Sequence, residues 1–148
     1  MNVTLRTAIA ADYDWIIQAV DSWWGRPVAA KLPRLFLDHF HTMSVIAESD
    51  ALPVGFLIGF LSPAEPSTAY IHFVGVEPDH RRRAVGRMLY ESFFEQARNA
   101  GRDEVEAITG PNNQKSIDFH RSLGFTVSST LDGYNGPGTT LVKFHRTL

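Results

Sequence analysis

Val76-Glu77-Pro78-Asp79-His80-Arg81-Arg82-Arg83-Ala84-Val85-Gly86 is the stretch on which the reading of this chain turns. Before it, residues 71–76 form an apolar run that Pro78 stops; after it, Val85, Leu89, Phe93 and Ala97 recur at helical spacing. The order is strand, tight loop, helix start. A helix start leaves backbone N–H groups without partners and carries a partial positive charge, so it suits a phosphorylated ligand. Ala84 and Gly86 let such a ligand approach the main chain, and Arg81, Arg82 and Arg83 add full charges beside it. The stretch reads either as a pyrophosphate cradle or as a solvated basic helix start. It is neither a P-loop, since no Lys-Ser/Thr follows a glycine run, nor a Gly-x-Gly-x-x-Gly dinucleotide turn.

The surroundings narrow the choice. The 148 residues fit one domain, over residues 1–148, with a real hydrophobic core, and 44% hydrophobic with 20% charged residues is an ordinary globular balance. Lys+Arg 14 against Asp+Glu 16 gives a net charge of -2, so the arginine triplet is local and no nucleic acid or anionic membrane is expected as partner. There is no cysteine, which removes disulfides, thiolate metal sites and a cysteine acyl-enzyme. The first residues lack a charged start and apolar core of the signal-peptide kind, and no apolar run is long enough to span a bilayer, so a cytoplasmic location is expected.

Taken in order, residues 2–8 alternate as a first strand, and Asp12 can cap a helix carrying Trp15, Ile16, Ala19, Val20 and Trp23. A second helical pattern runs through Val28, Leu32, Leu35, Phe36, His39 and Phe40. Strands follow at 45–48 and 54–61, with a turn at Ser49-Asp50, then a proline loop at 62–67 and a strand at 69–76 whose Gly75 marks a bulge or a close backbone approach. The helix from Arg83 to about Ala100 stops at Gly101, and 104–109 is a short strand. Asn112 or Asn113 can cap a helix with Ser116, Phe119, His120 and Leu123 on one stripe, closed by Gly124. Strands at 125–131 and 140–144 flank the glycine-rich loop 132–138.

Arg81-x-x-Ala84-x-Gly86 after Val76-x-Pro78 resembles the coenzyme A loop of the GNAT acetyltransferase superfamily, with Ala84 in the first glycine slot. Asn113-x-x-Ser116-x-x-Phe119-His120-x-x-x-Gly124-Phe125 resembles its second signature, with His120 where the family usually has tyrosine. The two lie in the family's order, and the resemblance spans residues 54–144. It implies an α/β fold: a mixed, mainly antiparallel central sheet flanked by helices and splayed between the strands at about 69–76 and 104–109. It also implies acetyl-CoA as co-substrate with no metal, the pantetheine arm on backbone groups near Val74 and Val76, the pyrophosphate in the loop Arg81, Arg82, Arg83, Ala84, Val85, Gly86 and Arg87, and contacts from Asn113, Ser116 and Phe119. Ala84 is harmless there if its dihedrals are helical, the case expected here, and damaging if φ must be positive.

Acetyl transfer needs a neutral amine, an acceptor for its proton, an oxyanion donor and a proton for the departing thiolate. By resemblance the attack is direct, in a ternary complex, and the oxyanion donor is a backbone N–H near Val74. His120 is read as the acid that protonates the thiolate, or as a core-edge residue packing against the pantetheine; Tyr134 is a further acid candidate. His72 shares a strand face with Tyr70, Val74 and Val76 and is read as the base, or as a hydrogen-bonded strand residue with water carrying the proton. Trp23 and Trp24 read as residues of the core and its edge; the resemblance also puts them, with Arg26 and the loop of Tyr134, where the family forms its acceptor pocket, Arg26 then facing an anionic acceptor. His39 and His41 read as a helix-end surface, not a metal pair. The expected function is N-acetyl transfer to a small-molecule, peptide or lysine amine; the alternative is a non-catalytic coenzyme A sensor or interaction module. A homodimer is compatible with the resemblance.

Overall fold

The computed structural model describes residues 2–148, except the side chains of Arg82 and Arg83. Two units share the chain. One holds the residues up to Phe60 together with Ile71–Gln96, the other Leu61–Tyr70 together with Ala97–Leu148.

In the first unit β1 (Val3–Thr7) leads into α1 (Asp12–Trp24), a 3-10 turn at Ala29–Lys31, α2 (Leu35–Phe40), β2 (Val45–Ser49) and β3 (Leu52–Leu61); β4 (Thr68–Val76) enters it from the second unit, and α3 (Val85–Asn99) follows. β1 and β2 pair antiparallel, as do β2 and β3. The β2–β3 turn is Asp50-Ala51, with φ of 53° and 64°, the two left-handed residues that a tight hairpin between right-twisted strands requires. On α1, Ile16 and Val20 are buried one turn apart against Val28, Leu32, Phe56 and Phe73. Asp12 does not cap α1 as expected: its carboxylate accepts from Ile9 N (2.8 Å), both Arg6 terminal nitrogens (2.9 and 2.8 Å) and Trp15 Nε1 (2.8 Å). The second helical pattern is also shorter than its spacing predicts. Pro33 has no N–H to continue a helix, so Val28 and Leu32 are buried from a 3-10 turn and its flanks, and α2 begins only at Leu35.

β4 alternates as expected, with Ile71, Phe73 and Gly75 buried and His72, Val74 and Val76 facing the other way. Gly75 marks a close approach, since a Cβ there would lie 2.5 Å from the Phe56 ring. α3 starts at Val85, two residues later than expected, and buries Val85, Leu89 and Phe93. Gly55 makes room for it: a Cβ on Gly55 would stand 3.1 Å from Val85 and 3.2 Å from Leu89.

The second unit contains the start of β4, then β5 (Glu104–Thr109), α4 (Gln114–Ser122), β6 (Thr126–Val127), β7 (Leu131–Asp132) and β8 (Thr140–Thr147). β4 runs parallel to β5 over Thr68–Tyr70 against Glu104–Glu106, and that register ends at Tyr70. β5 pairs antiparallel with β8 along its whole length. Arg102 Nη1 donates to the carbonyls of Ser62, Glu65 and Thr68 (2.7, 3.0 and 3.0 Å), which fastens the proline loop. The strand expected at 125–131 is two short pieces. Ser128 interrupts it, because its Oγ takes the N–H of Lys143 at 2.9 Å in place of a main-chain carbonyl.

The strand order is β1-β2-β3-β4-β5-β8-β6, with β7 added on β8, a mixed and mainly antiparallel α/β arrangement. Among the described residues no helix is long and apolar enough to cross a membrane.

Candidate active site

The loop after β4 is built by its own side chains. Glu77 accepts from Asp79 N at 3.3 Å and from His80 Nδ1, which caps the 3-10 turn Pro78–Arg83. That turn ends at Ala84, whose φ of 59° and ψ of 20° are left-handed. The expectation of helical dihedrals is thus wrong: a 3-10 turn ends before this residue and an α-helix begins after it, and one residue of opposite hand makes the join. Alanine holds that conformation at a cost of about 1 kcal/mol that glycine avoids. Met88 N then donates to Ala84 O at 3.0 Å, and the first turn of α3 contains no carboxylate. Arg87 reaches Glu91 at 3.7 Å on the exposed side. Arg81 folds back: its Nε donates to Val76 O at 3.3 Å and its Nη2 to Trp23 O. The expected contributions of the Arg82 and Arg83 side chains lie outside the described residues.

The outward row of β4 meets the connection after α1. Trp24 Nε1 donates to Val74 O at 3.1 Å, and its ring lies 5.1 Å from Phe73. His72 Nε2 is 2.7 Å from Lys31 O. A carbonyl only accepts, so Nε2 bears the proton and Nδ1 holds the lone pair of the neutral ring. Phe36 stacks on that imidazole at 3.7 Å and 5°. Burial lowers the pKa of His72, with the Lys31 bond acting the other way, and the ring is neutral at pH 7.

In the second unit Asn113 is the N-cap of α4: its Oδ1 accepts from Ser116 N at 3.4 Å, while Nδ2 donates to Thr109 Oγ1 at 3.1 Å. His120 is buried, stacked on Phe144 at 3.9 Å and 8°, with Phe119 and Phe125 edge-on. Its Nδ1 donates to Ser116 O at 2.7 Å, the carbonyl one turn back. Burial pushes its pKa down to about 4. The ring is therefore neutral at pH 7 with its single proton directed at Ser116 O. Tyr134 is half exposed, with Lys143 Nζ 5.7 Å from its ring centre. Sequence reasoning passed over Tyr70, whose phenol burial pushes up to about 12, so that it stays protonated. Among the described residues no group of three His, Asp or Glu side chains could hold a metal ion.

A model of the family described as "Acetyltransferase (GNAT) family" matches residues 11–125. The chain is 34% identical over 83 residues to an L-2,4-diaminobutyric acid acetyltransferase of Nocardia farcinica, covering 56% of this chain and 43% of that protein. To the enzyme of the same name from Virgibacillus pantothenticus it is 32% identical over 113 residues, 76% of this chain and 70% of that one. The chain thus spans less than half the length of the first relative. The fold is that of Ard1 from Thermoplasma volcanium, with a TM-score of 0.83 at 21% identity over 100% and 99% of the two chains. It is also that of the diaminobutyrate acetyltransferase EctA from Paenibacillus lautus, solved with its substrate and coenzyme A, with a TM-score of 0.72 at 21% identity over 97% and 94%.

Proposed function

The chain belongs to the GNAT acetyltransferase family, and from that premise we propose that it carries the acetyl group of acetyl-CoA to the amine of a small molecule by direct attack on the thioester. Residues 1–148 are read as one acetyltransferase domain, acting in the cytoplasm. The observation that carries the reading is the acid-free start of α3, which lies inside the matched residues directly after β4. Its N–H groups, with Arg81, Arg82, Arg83 and Arg87, are assigned to the diphosphate; Ala84, Val85 and Gly86 let it approach. Charge-assisted bonds of that kind contribute about 1.5–3 kcal/mol each. The main chain at Val74 and Val76, with Asn113, Ser116 and Phe119, is assigned to the pantetheine arm.

In the proposed step the neutral amine attacks the acyl carbon, a C–N bond forms, the C–S bond breaks, and the proton lost by nitrogen ends on the thiolate. His72 is the proposed carrier of that proton: it takes it from nitrogen at Nδ1 and gives it up again to the thiolate, ending neutral as it began. His120 is proposed to pack rather than to donate, given its bond to Ser116 O. The same bond favours a second reading, a coenzyme A-binding module without turnover, because it leaves the usual acid position without a displayed proton. Acetyl-CoA with a panel of amines and a thiol-detecting dye separates the two. Amine-dependent thiol release supports the enzyme; coenzyme A binding without release under any amine supports the module.

A further inference from the structure

We infer that Arg26 selects the acceptor, and that the acceptor is an amine bearing a carboxylate. The inference rests on the acetyl-transfer reading. Asp21 Oδ1 accepts from Val28 N and Ala29 N, both at 2.8 Å, which fixes the path of the chain just after α1. Trp24, the last residue of α1, is anchored on Val74 O at 3.1 Å, and the resemblance puts the oxyanion donor at a backbone N–H near Val74. The Arg26 guanidinium lies over the same indole, 5.2 Å from its ring centre. One ring therefore lies between the backbone of β4 near the proposed oxyanion donor and a guanidinium.

The charges around it give the sign. Among the described residues Arg26 has no carboxylate in ion-pair reach, as Arg98 and Arg121 have none, whereas Arg6 meets Asp12 and Glu48, Arg34 meets Asp14, and Arg87 meets Glu91; what sets Arg26 apart is its place over Trp24. Asp21, the acid on its own stretch, is taken by two backbone donors. Lys31, exposed on the same connection, is a second cation. A ligand carboxylate completes a guanidinium fork; a second ligand ammonium in its place meets two positive charges. The relatives named for 2,4-diaminobutyric acid supply a probe, and its decarboxylated counterpart, 1,3-diaminopropane, supplies the control.

Calorimetry on the protein saturated with coenzyme A should show L-2,4-diaminobutyrate binding at least tenfold more tightly than 1,3-diaminopropane. Arg26→Gln should reduce the preference below twofold, and Arg26→Lys should keep part of it. Equal binding of the two compounds, binding of neither, or a preference that survives in Arg26→Gln overturns the assignment of Arg26 while acetyl transfer stands. Failure of coenzyme A itself to bind overturns the acetyl-transfer reading, and the inference with it.

Discussion

The first unit contains two helix starts that treat the same electrostatic problem in opposite ways. At α1 the opening N–H groups of Asp12, Tyr13 and Asp14 donate to the carbonyls of Ile9, Ala10 and Ala11, and Asp12 and Asp14 supply negative charge to the first turn. At α3 the first turn has no acid, a residue of opposite hand precedes it, and arginines stand on both sides. The helix dipole is equally present at both. At α1 the chain answers it with its own carboxylates; at α3 it supplies none, and the proposed diphosphate would take that place. The two starts also differ in place along the strand order: α1 follows β1, an end strand, and α3 follows β4, an inner one.

The comparison can be broken from the α1 side first. Asp12 is buried and holds Arg6, Ile9 N and Trp15 together, so Asp12→Ala should cost roughly 3 kcal/mol in urea unfolding, by stranding those donors. A loss below 1 kcal/mol would mean that α1 does not depend on its own acid.

Titration sharpens it, because two groups act in separate ranges. His120 has a folded pKa near 4 against about 6.5 unfolded, so the unfolded chain binds the proton first as pH falls. The stability it contributes is present above pH 6.5 and declines from there to about pH 4, by on the order of 3 kcal/mol. The folded pKa of Asp12 lies below its usual 3.8, because its donors together outweigh its burial, so its contribution goes only at lower pH still. The decline between pH 6.5 and 4 should become clearly shallower in His120→Phe, which keeps the stack on Phe144, leaving the part due to His72, whose pKa burial also lowers, while the Asp12 loss below pH 3.8 remains. An unchanged slope would contradict the buried neutral ring.

At α3 the corresponding change is Arg87→Glu, which places an acid in the first turn on an exposed position. Coenzyme A affinity by calorimetry should fall at least tenfold, with stability shifted by about 0.5 kcal/mol from the lost Arg87–Glu91 pair. The smallest effect belongs to Ala84→Gly. Relief of the left-handed alanine should add up to about 1 kcal/mol of stability and change coenzyme A affinity only a few-fold.

Much of this was legible in the residues. The alternation of Ile71, Phe73 and Gly75 placed β4 correctly, and Asn113 caps α4 as its position suggests. What escaped depended on contacts that local pattern does not encode. The hand of Ala84 is set by the junction of two helical segments, the break at Ser128 by one hydroxyl, and the anchoring of Trp24 by Val74, fifty residues away in sequence. The direction of the His120 proton could have been inferred, since helical side chains lean back toward the preceding turn, where Ser116 O waits.

The seat for an external anion at α3 is tested most directly by titrating the protein with coenzyme A and with pantetheine, which lacks the phosphates. If α3 holds the diphosphate, coenzyme A binds at least tenfold more tightly than pantetheine, and the difference narrows with added salt. Equal affinities, insensitive to salt, would contradict the account.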